Sequence, residues 1–446
     1  MAIRLPGRRV RAHLASRRAA RRTLRRPSGF RIAIADTIAQ LDRDQWDDVV
    51  DGESWFFSRD YLAMLERVPP AVVEPRYALI SDEQGPVAAV VLQWAEVDGT
   101  QLRPLPKAGG EDDELNPLRR LVDKLSRPAR AAFASRLRER VLVCGNLLTY
   151  GQHAVAVAPD VEPDSVWPAV AEVLYRVRRA EKLAGQAGFV LIKDIPLADN
   201  AGVAQLEGLG YRGIETEPNM VLALDPAWKT HADYLAGMTS KYRSAVKNQI
   251  LQPIEQAGLA VRAYTPTGAL ARRTHALYLG VHENAGLRPF TLHPGYFAEL
   301  AATAGDRVRF AGLFAGPHDT PEALRGFIVT LADVDEALGY HIGFEPSRTG
   351  DDGPGLPLYL RLLHASIADA IALRARTLSF GRTALEPKAR LGAKPQEMQV
   401  WLRHRQPVFN RIVRRLVGFA HHAEAPDTNP FRKGPSSRVS APAPKA

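Results

Sequence analysis

One order of elements is written twice along this chain of 446 residues. In the first half, "SVWPAVAEVLYRVRRAEKLAG" puts Val166, Val170, Val173, Leu174 and Val177 on one helical face with arginines opposite. That helix ends near Gly185 or Gly188. "FVLIKDI" follows as a buried strand, "AGVAQLEGLGYRGIE" as a short helix, a Gly-Tyr turn and a strand, and "MVLAL" closes the segment. In the second half, "RVRFAGLFAG", "RGFIVTLADV" and "ALGYHIGFEP" read as successive strands, and a glycine-rich loop leads into the helix "PLYLRLLHASIADAIALRAR". "TLSF" is the next strand and "EMQVWLRHR" the last. The spacing from helix to following strand is alike in both halves. Such a chain is expected to be α/β, folding as two related units in tandem, each a mixed sheet flanked by helices.

The expected boundaries are a basic disordered arm over 1–27, a first domain over 28–225, a second over 226–420 that includes an inter-domain helix, and a disordered tail over 421–446. The tail "HHAEAPDTNPFRKGPSSRVSAPAPKA" is rich in Pro, Ser and Ala. Charge supports the arm. Residues 1–31 hold eleven arginines and no acid, and the remainder carries 48 basic against 49 acidic residues. The formal charge of +10 therefore belongs to the arm, and the body is near neutral. An arginine run without an apolar core is no secretory signal. It is either a solvated tail or a contact for tRNA or an anionic membrane surface. A single cysteine, Cys144, excludes an internal disulfide and a multi-cysteine metal site. No stretch has the roughly 18–20 uninterrupted apolar residues of a membrane span. The expected location is cytoplasmic, with membrane-surface association as an alternative.

Between the halves, "THADYLAGMTSKYRSAVKNQILQPIEQAG" carries an apolar stripe of Tyr234, Leu235, Met238, Tyr242 and Val246 beside Lys241, Arg243 and Lys247. This is either an ordinary amphipathic surface helix or a basic face for an anionic substrate.

The closing pattern "LEGLGYRGI", with Leu209, Gly210 and Tyr211, resembles the end of a GNAT-superfamily acyltransferase unit. Two such units joined by "SKYRSAVK" look like the Fem-like acyl- and aminoacyltransferases, a two-domain branch of that superfamily. "SFGRTALEPKARLG" is similar to that branch's ending, with a strand, Gly381, then Lys388 ahead of Gly392. Leu391 stands where an aromatic is more usual, and Ser379 where an aspartate often precedes the aromatic. The resemblance covers roughly residues 30–415 and implies an N-acyltransferase. No tightly bound cofactor is expected; acyl-CoA is favoured as donor co-substrate because the body is near neutral, and the acceptor is a small-molecule or cell-envelope amine. Two alternatives stay open. One is an aminoacyl-tRNA-dependent transferase acting on a cell-envelope precursor. The other is a non-catalytic module binding an anionic surface through the arm.

Candidate site residues follow from residue chemistry beside that resemblance. Acyl transfer to an amine needs a deprotonated amine and a cation or N–H donor where the carbonyl oxygen becomes anionic. Lys388, past a strand end and after Pro387, is the candidate cation. Glu386 serves as base, or pairs with Arg382 or Arg390. Glu345 shares a strand face with His341, with Gly343 between, and is a second candidate base. Arg348, Gly350, Gly353 and Gly355 precede a helix, as a phosphate-binding loop would, although Asp351 and Asp352 inside it oppose phosphate. The same stretch also suits a plain turn. Lys241, Arg243, Arg382 and His282 are candidate substrate contacts. No HExxH, Walker-type or CxxC pattern is present, so no metal and no nucleotide hydrolysis is expected.

Overall fold

The structure is a computed structural model that describes residues 26–98, 138–184, 187–284, 290–345, 355–406, 410, 426 and 428–431. The predicted arm, apart from its last two residues, and most of the predicted tail lie outside the described residues. The chain divides into two units. One takes residues 1–217, 282–299 and 397–422, and the other takes 218–281, 300–396 and 423–446.

The first unit is built on β1 (Arg31–Ala35), β2 (Val73–Ser81), β3 (Pro86–Asp98), β4 (Arg138–Cys144), β5 (Val155–Val157), β6 (Ala187–Pro196), β7 (Arg212–Glu215) and β15 (Met398–His404). Their order is β1-β2-β3-β4-β6-β15-β7, with β5 paired to β3. Helices α1 (Arg43–Val50) and α2 (Arg59–Arg67) follow β1, and Ser58 caps α2 by accepting from Tyr61 N at 3.3 Å. The amphipathic helix is α3 (Trp167–Ala180), which buries Val170, Val173, Leu174 and Val177, and the short α4 (Ala201–Ala204) follows β6. Each such aliphatic contributes about 1.5–3 kcal/mol when fully buried. Val190 and Ile192 of β6 join the same core, as does Cys144, whose thiol burial pushes up to about 12.

The second unit has β8 (Asn219–Ala223), β9 (Leu259–Ala263), β10 (Val308–Ala315), β11 (Leu324–Asp333), β12 (Glu336–Phe344), β13 (Thr377–Ser379) and β14 (Lys394–Gln396), in the order β9-β10-β11-β12-β13-β8-β14. Position by position this is the order of the first sheet. In both, the fourth and fifth strands form the one parallel pair among the described strands, β4 with β6 and β12 with β13. A parallel pair requires a crossover. In the second unit the long helix between β12 and β13 (Leu358–Ala372) supplies it.

Two strands differ from the sequence expectation. "MVLAL" was expected to close the first domain, yet β8 pairs with β13 and β14 in the second sheet. "EMQVWLRHR" was expected to end the second domain, yet β15 pairs with β6 and β7 in the first. Both occupy the sixth position of their sheet, so the two halves of the chain exchange equivalent strands. A strand's own residues encode its two faces but not its neighbour. The long helix expected after Thr230 is also broken. Thr230 and Asp233 form a capping box for α5 (His231–Gly237), which ends at Met238; α6 (Ser240–Val246) then runs into a π-helical turn at Lys247–Leu251.

Helix α7 (Gly268–His282) covers the face of β12 that carries His341, because Gly343 has no side chain, and its Arg273 reaches Glu345 just past the strand's end. A Cβ there would lie 2.6 Å from the backbone of Leu277 and Tyr278. Gly343→Ala is therefore expected to destabilise the protein by at least about 2 kcal/mol, since backbone on both sides must move. A denaturant titration beside wild type checks this, and a variant of unchanged midpoint would contradict the packing.

Candidate active site

In an open α/β sheet, ligands bind beyond the carboxyl ends of parallel strands. The two units treat that position differently. In the first, β4 ends at Cys144, which is also its last pair with β6 (Cys144↔Ile192). The chain beyond is knitted shut: Leu147 N donates to Gln93 Oε1 at 2.8 Å, Asn146 Nδ2 to Tyr61 Oη at 2.9 Å, and Lys193 Nζ to the Thr149 carbonyl at 2.5 Å. Asp194 is fully buried and ion-paired with Lys193. In the second unit the pairing of β12 with β13 stops at Leu338↔Ser379, while β12 continues through Gly339–Phe344 against β11. The fourth and fifth strands part there.

Past β13 the backbone is strained. Gly381, Thr383 and Ala384 have φ of 72°, 66° and 48°. Positive φ costs a non-glycine residue of order 1–3 kcal/mol and persists only where the surroundings hold it. Lys388 contributes to that hold. It lies on the short helix α8 (Leu385–Arg390), is only 3% exposed, and donates to the carbonyls of Gly381 at 3.2 Å and Arg382 at 2.6 Å.

The duplicated fold makes Lys388 informative. In the first unit Tyr211 N bonds Leu206 O at 3.3 Å and Gly210 N bonds Glu207 O at 3.0 Å. In the second, Ala393 N bonds Lys388 O at 3.2 Å and Gly392 N bonds Ala389 O at 2.9 Å. The glycines have φ of 95° and 96°, left-handed values that terminate each short helix. Superposing these bonds puts Lys388 on Leu206, a leucine with no exposed surface. Apolar packing suffices at this point of the fold, and the second unit carries an ammonium instead. Beside it, Ser379 Oγ donates to Asn219 Oδ1 at 2.9 Å, and Asn219 Nδ2 donates to Gln396 Oε1 at 3.2 Å.

The other predicted residues fall as follows. Glu386 is exposed and paired with Arg390 at 2.6 Å. Glu345 is bound by Arg273 and by Arg325, the latter at 3.2 Å to each carboxylate oxygen. His341 packs against Tyr278 with ring centroids 6.3 Å apart, and burial lowers its pKa to about 3. Lys241 is exposed, while Arg243 donates from Nη1 to Met238 O at 3.2 Å. Arg382 lends its carbonyl to Lys388. His282 belongs to the first unit, where its Nε2 meets Thr291 Oγ1 at 3.3 Å. Gly355 lies just ahead of the Leu358–Ala372 helix, whereas Arg348, Gly350 and Gly353 lie outside the described residues. Among the described residues no group of three or more His, Cys, Asp or Glu is arranged to hold a metal, and no helix is long and apolar enough to cross a membrane.

The sequence reading missed a histidine pair in the second unit. His231 Nε2 and His364 Nδ1 are 3.0 Å apart, and His364 Nε2 is buried with no hydrogen-bond partner. Burial holds both pKa values down, to about 4 for His231, with the Arg361 charge adding to the effect. The signal available was the polar His364 within an otherwise apolar helical face.

These sheets define a tandem α/β protein built on one strand order used twice. No known family profile and no curated protein matches the sequence. Among solved structures the chain is similar to FemX, at 11% identity and TM-score 0.48 over 84% of this chain and 98% of the other. It is also similar to a tandem GNAT protein from the clavulanic acid biosynthesis pathway (13% identity, TM-score 0.46, 84% and 98% covered). A third is L-PGS from Bacillus licheniformis (12%, 0.41, 80% and 95%).

Proposed function

We propose that this chain is an N-acyltransferase and that its second unit carries the reaction. The observation that carries the reading is the asymmetry between duplicated units: a buried ammonium at Lys388 where the first unit has Leu206, in a unit whose parallel strand pair stops at Leu338↔Ser379. The donor is a thioester, with acyl-CoA favoured because the body is near neutral. A deprotonated amine attacks the thioester carbonyl. The C–N bond forms, the C–S bond breaks, the thiolate leaves, and the extra proton on nitrogen passes to a base or to the departing thiolate. Lys388 opposes the negative charge that builds on the carbonyl oxygen. An extended donor bearing amides, as the pantetheine arm does, suits the strand edge opened between β12 and β13.

Two candidate bases fare differently. Glu345 is engaged by two guanidinium groups, so a base role would first require their release. Glu386 is exposed and shares a surface ion pair worth about 0–1 kcal/mol, which leaves it the better candidate. The eleven arginines of residues 1–31 favour a second reading, an aminoacyl-tRNA donor with a cell-envelope acceptor.

Full-length protein incubated with acyl-CoAs and a panel of amines is expected to release free thiol only when both are present. The same acyl-CoAs are expected to raise Tm above the effect of phosphate or nucleotides, by mass action. Silence with every acyl-CoA, together with salt-sensitive binding of aminoacyl-tRNA and amine-dependent deacylation, would transfer the proposal to the second donor. Silence with both would remove the enzymatic reading and leave an arm-dependent binding module.

A further inference from the structure

Residues 428–431 return to the second unit and fill a slot in it. The Phe431 ring lies 5.4 Å from Trp228 and 5.8 Å from Tyr234, centroid to centroid, and Trp228 and Tyr234 themselves meet edge to face at 5.3 Å. Gly392 forms the floor, where a Cβ would come 2.3 Å from the Phe431 ring. The backbone is read as well. Thr239 N donates to Pro430 O at 2.9 Å, Met238 and Phe431 form an antiparallel bridge, and Lys394 Nζ donates to Thr428 O at 3.2 Å. Asn429 pre-shapes the segment by accepting from Phe431 N at 3.1 Å through Oδ1. Pro430 is buried, Phe431 only partly so, and Asn429 is exposed.

The equivalent corner of the first unit is built otherwise. There Asn410 Nδ2 donates to Gly210 O at 2.6 Å, and among the described residues only Asn410 would meet a Cβ at Gly210. The glycine turn therefore does not need Phe431 to form. Backbone pairing plus one aromatic pocket is the way extended peptides are recognised.

We propose that the slot between Trp228, Tyr234 and Gly392 is a peptide-recognition site for an Asn-Pro-Phe segment, held in this chain by its own residues 429–431 as an exchangeable occupant. The ligand is an extended peptide with a buried proline followed by an aromatic ring. A tethered occupant acts at high effective concentration, so it masks the slot from free peptide.

The test uses the full chain and a labelled peptide of residues 426–434. By fluorescence anisotropy, Phe431→Ala is expected to bind it saturably, and wild type at least tenfold more weakly. The peptide with alanine in place of its phenylalanine should not bind either protein. Adding Trp228→Ala to Phe431→Ala should abolish binding. Should Phe431→Ala fail to fold, Asn429→Ala, which loosens the segment but keeps the ring, is expected to bind at an intermediate level. In wild type the Thr239 amide should exchange more slowly than in Asn429→Ala. Equal binding to wild type and variant, or no saturable binding to either variant at millimolar peptide, would overturn the proposal.

Discussion

Lys388→Leu is expected to fold and to have lost the proposed transfer activity. The first unit already shows leucine at this point of the fold, in Leu206, with the same helix-ending hydrogen bonds and the same left-handed glycine. Two terms oppose each other in stability. Removing the ammonium leaves the Gly381 and Arg382 carbonyls without that donor, at a cost of about 1–3 kcal/mol. Replacing a buried charge by an apolar side chain of similar volume returns about 1–4 kcal/mol. The variant should therefore stay within about 2 kcal/mol of wild type in a denaturant titration. Activity has no such compensation. Removing one positioned group that opposes the oxyanion costs about 10²–10³-fold in turnover. Lys388→Arg keeps the charge but not the reach, and should fall between the two. A leucine variant that unfolds would make Lys388 a structural tie. One that folds and retains thiol release would remove it from the mechanism.

The reciprocal change sharpens the comparison. Leu206→Lys places an ammonium in a core position with no exposed surface, and is expected to cost at least about 3 kcal/mol. If Leu206→Lys were harmless, the two corners would tolerate either residue, and Lys388 would carry no special meaning.

Much of this was legible before any coordinates. "LGYRG" and "LGAKP" mark equivalent turns, because a left-handed residue must end each short helix and glycine enters that conformation without strain. Lys388 was legible as an oddity four residues ahead of one of those glycines. The strand exchange was not. "MVLAL" and "EMQVWLRHR" are both short, and nothing local tells either which fifth strand to join. Nor was the sealed corner of the first unit. Thr149 bonds Asn146 within one turn, but the bond from Gln93 to Asn146 joins segments 53 residues apart. Glu345 and His341 were read on one strand face, whereas β12 ends at Phe344, and the helix that packs over Gly343 is a tertiary contact without a periodic signature.

Acid should unfold the second unit through its histidines. In an unfolded chain an imidazole titrates near about 6.5. Folded His231 is held at about 4 and His341 at about 3, with His364 also well below the ordinary value, in each case chiefly by burial. Between those values and pH 6.5 the unfolded state binds more protons than the folded one, so stability rises with pH. Their contribution is intact above about pH 6.5 and is lost as pH falls through the folded values; for His231 alone it amounts to about 3 kcal/mol. Two carboxyls act oppositely. Burial, with Asp333 adding, raises Glu336 to about 7, and burial raises Asp369 to about 6. The folded state therefore binds their protons more tightly, and their contribution is present below about pH 4 and lost as pH rises through 6–7. The two sets partly cancel between about pH 4.5 and 6.5, and below that range the histidines act alone. Urea titrations of the full chain should thus show the steepest loss below about pH 4.5. His364→Leu removes a buried imidazole whose Nε2 has no partner but also deprives His231 Nε2 of its own, and is expected to show a shallower acid slope than wild type. Glu336→Gln should leave the acid limb alone and gain up to about 3 kcal/mol at pH 8 relative to pH 5. An acid slope unchanged by His364→Leu would assign the proton uptake to groups elsewhere in the chain.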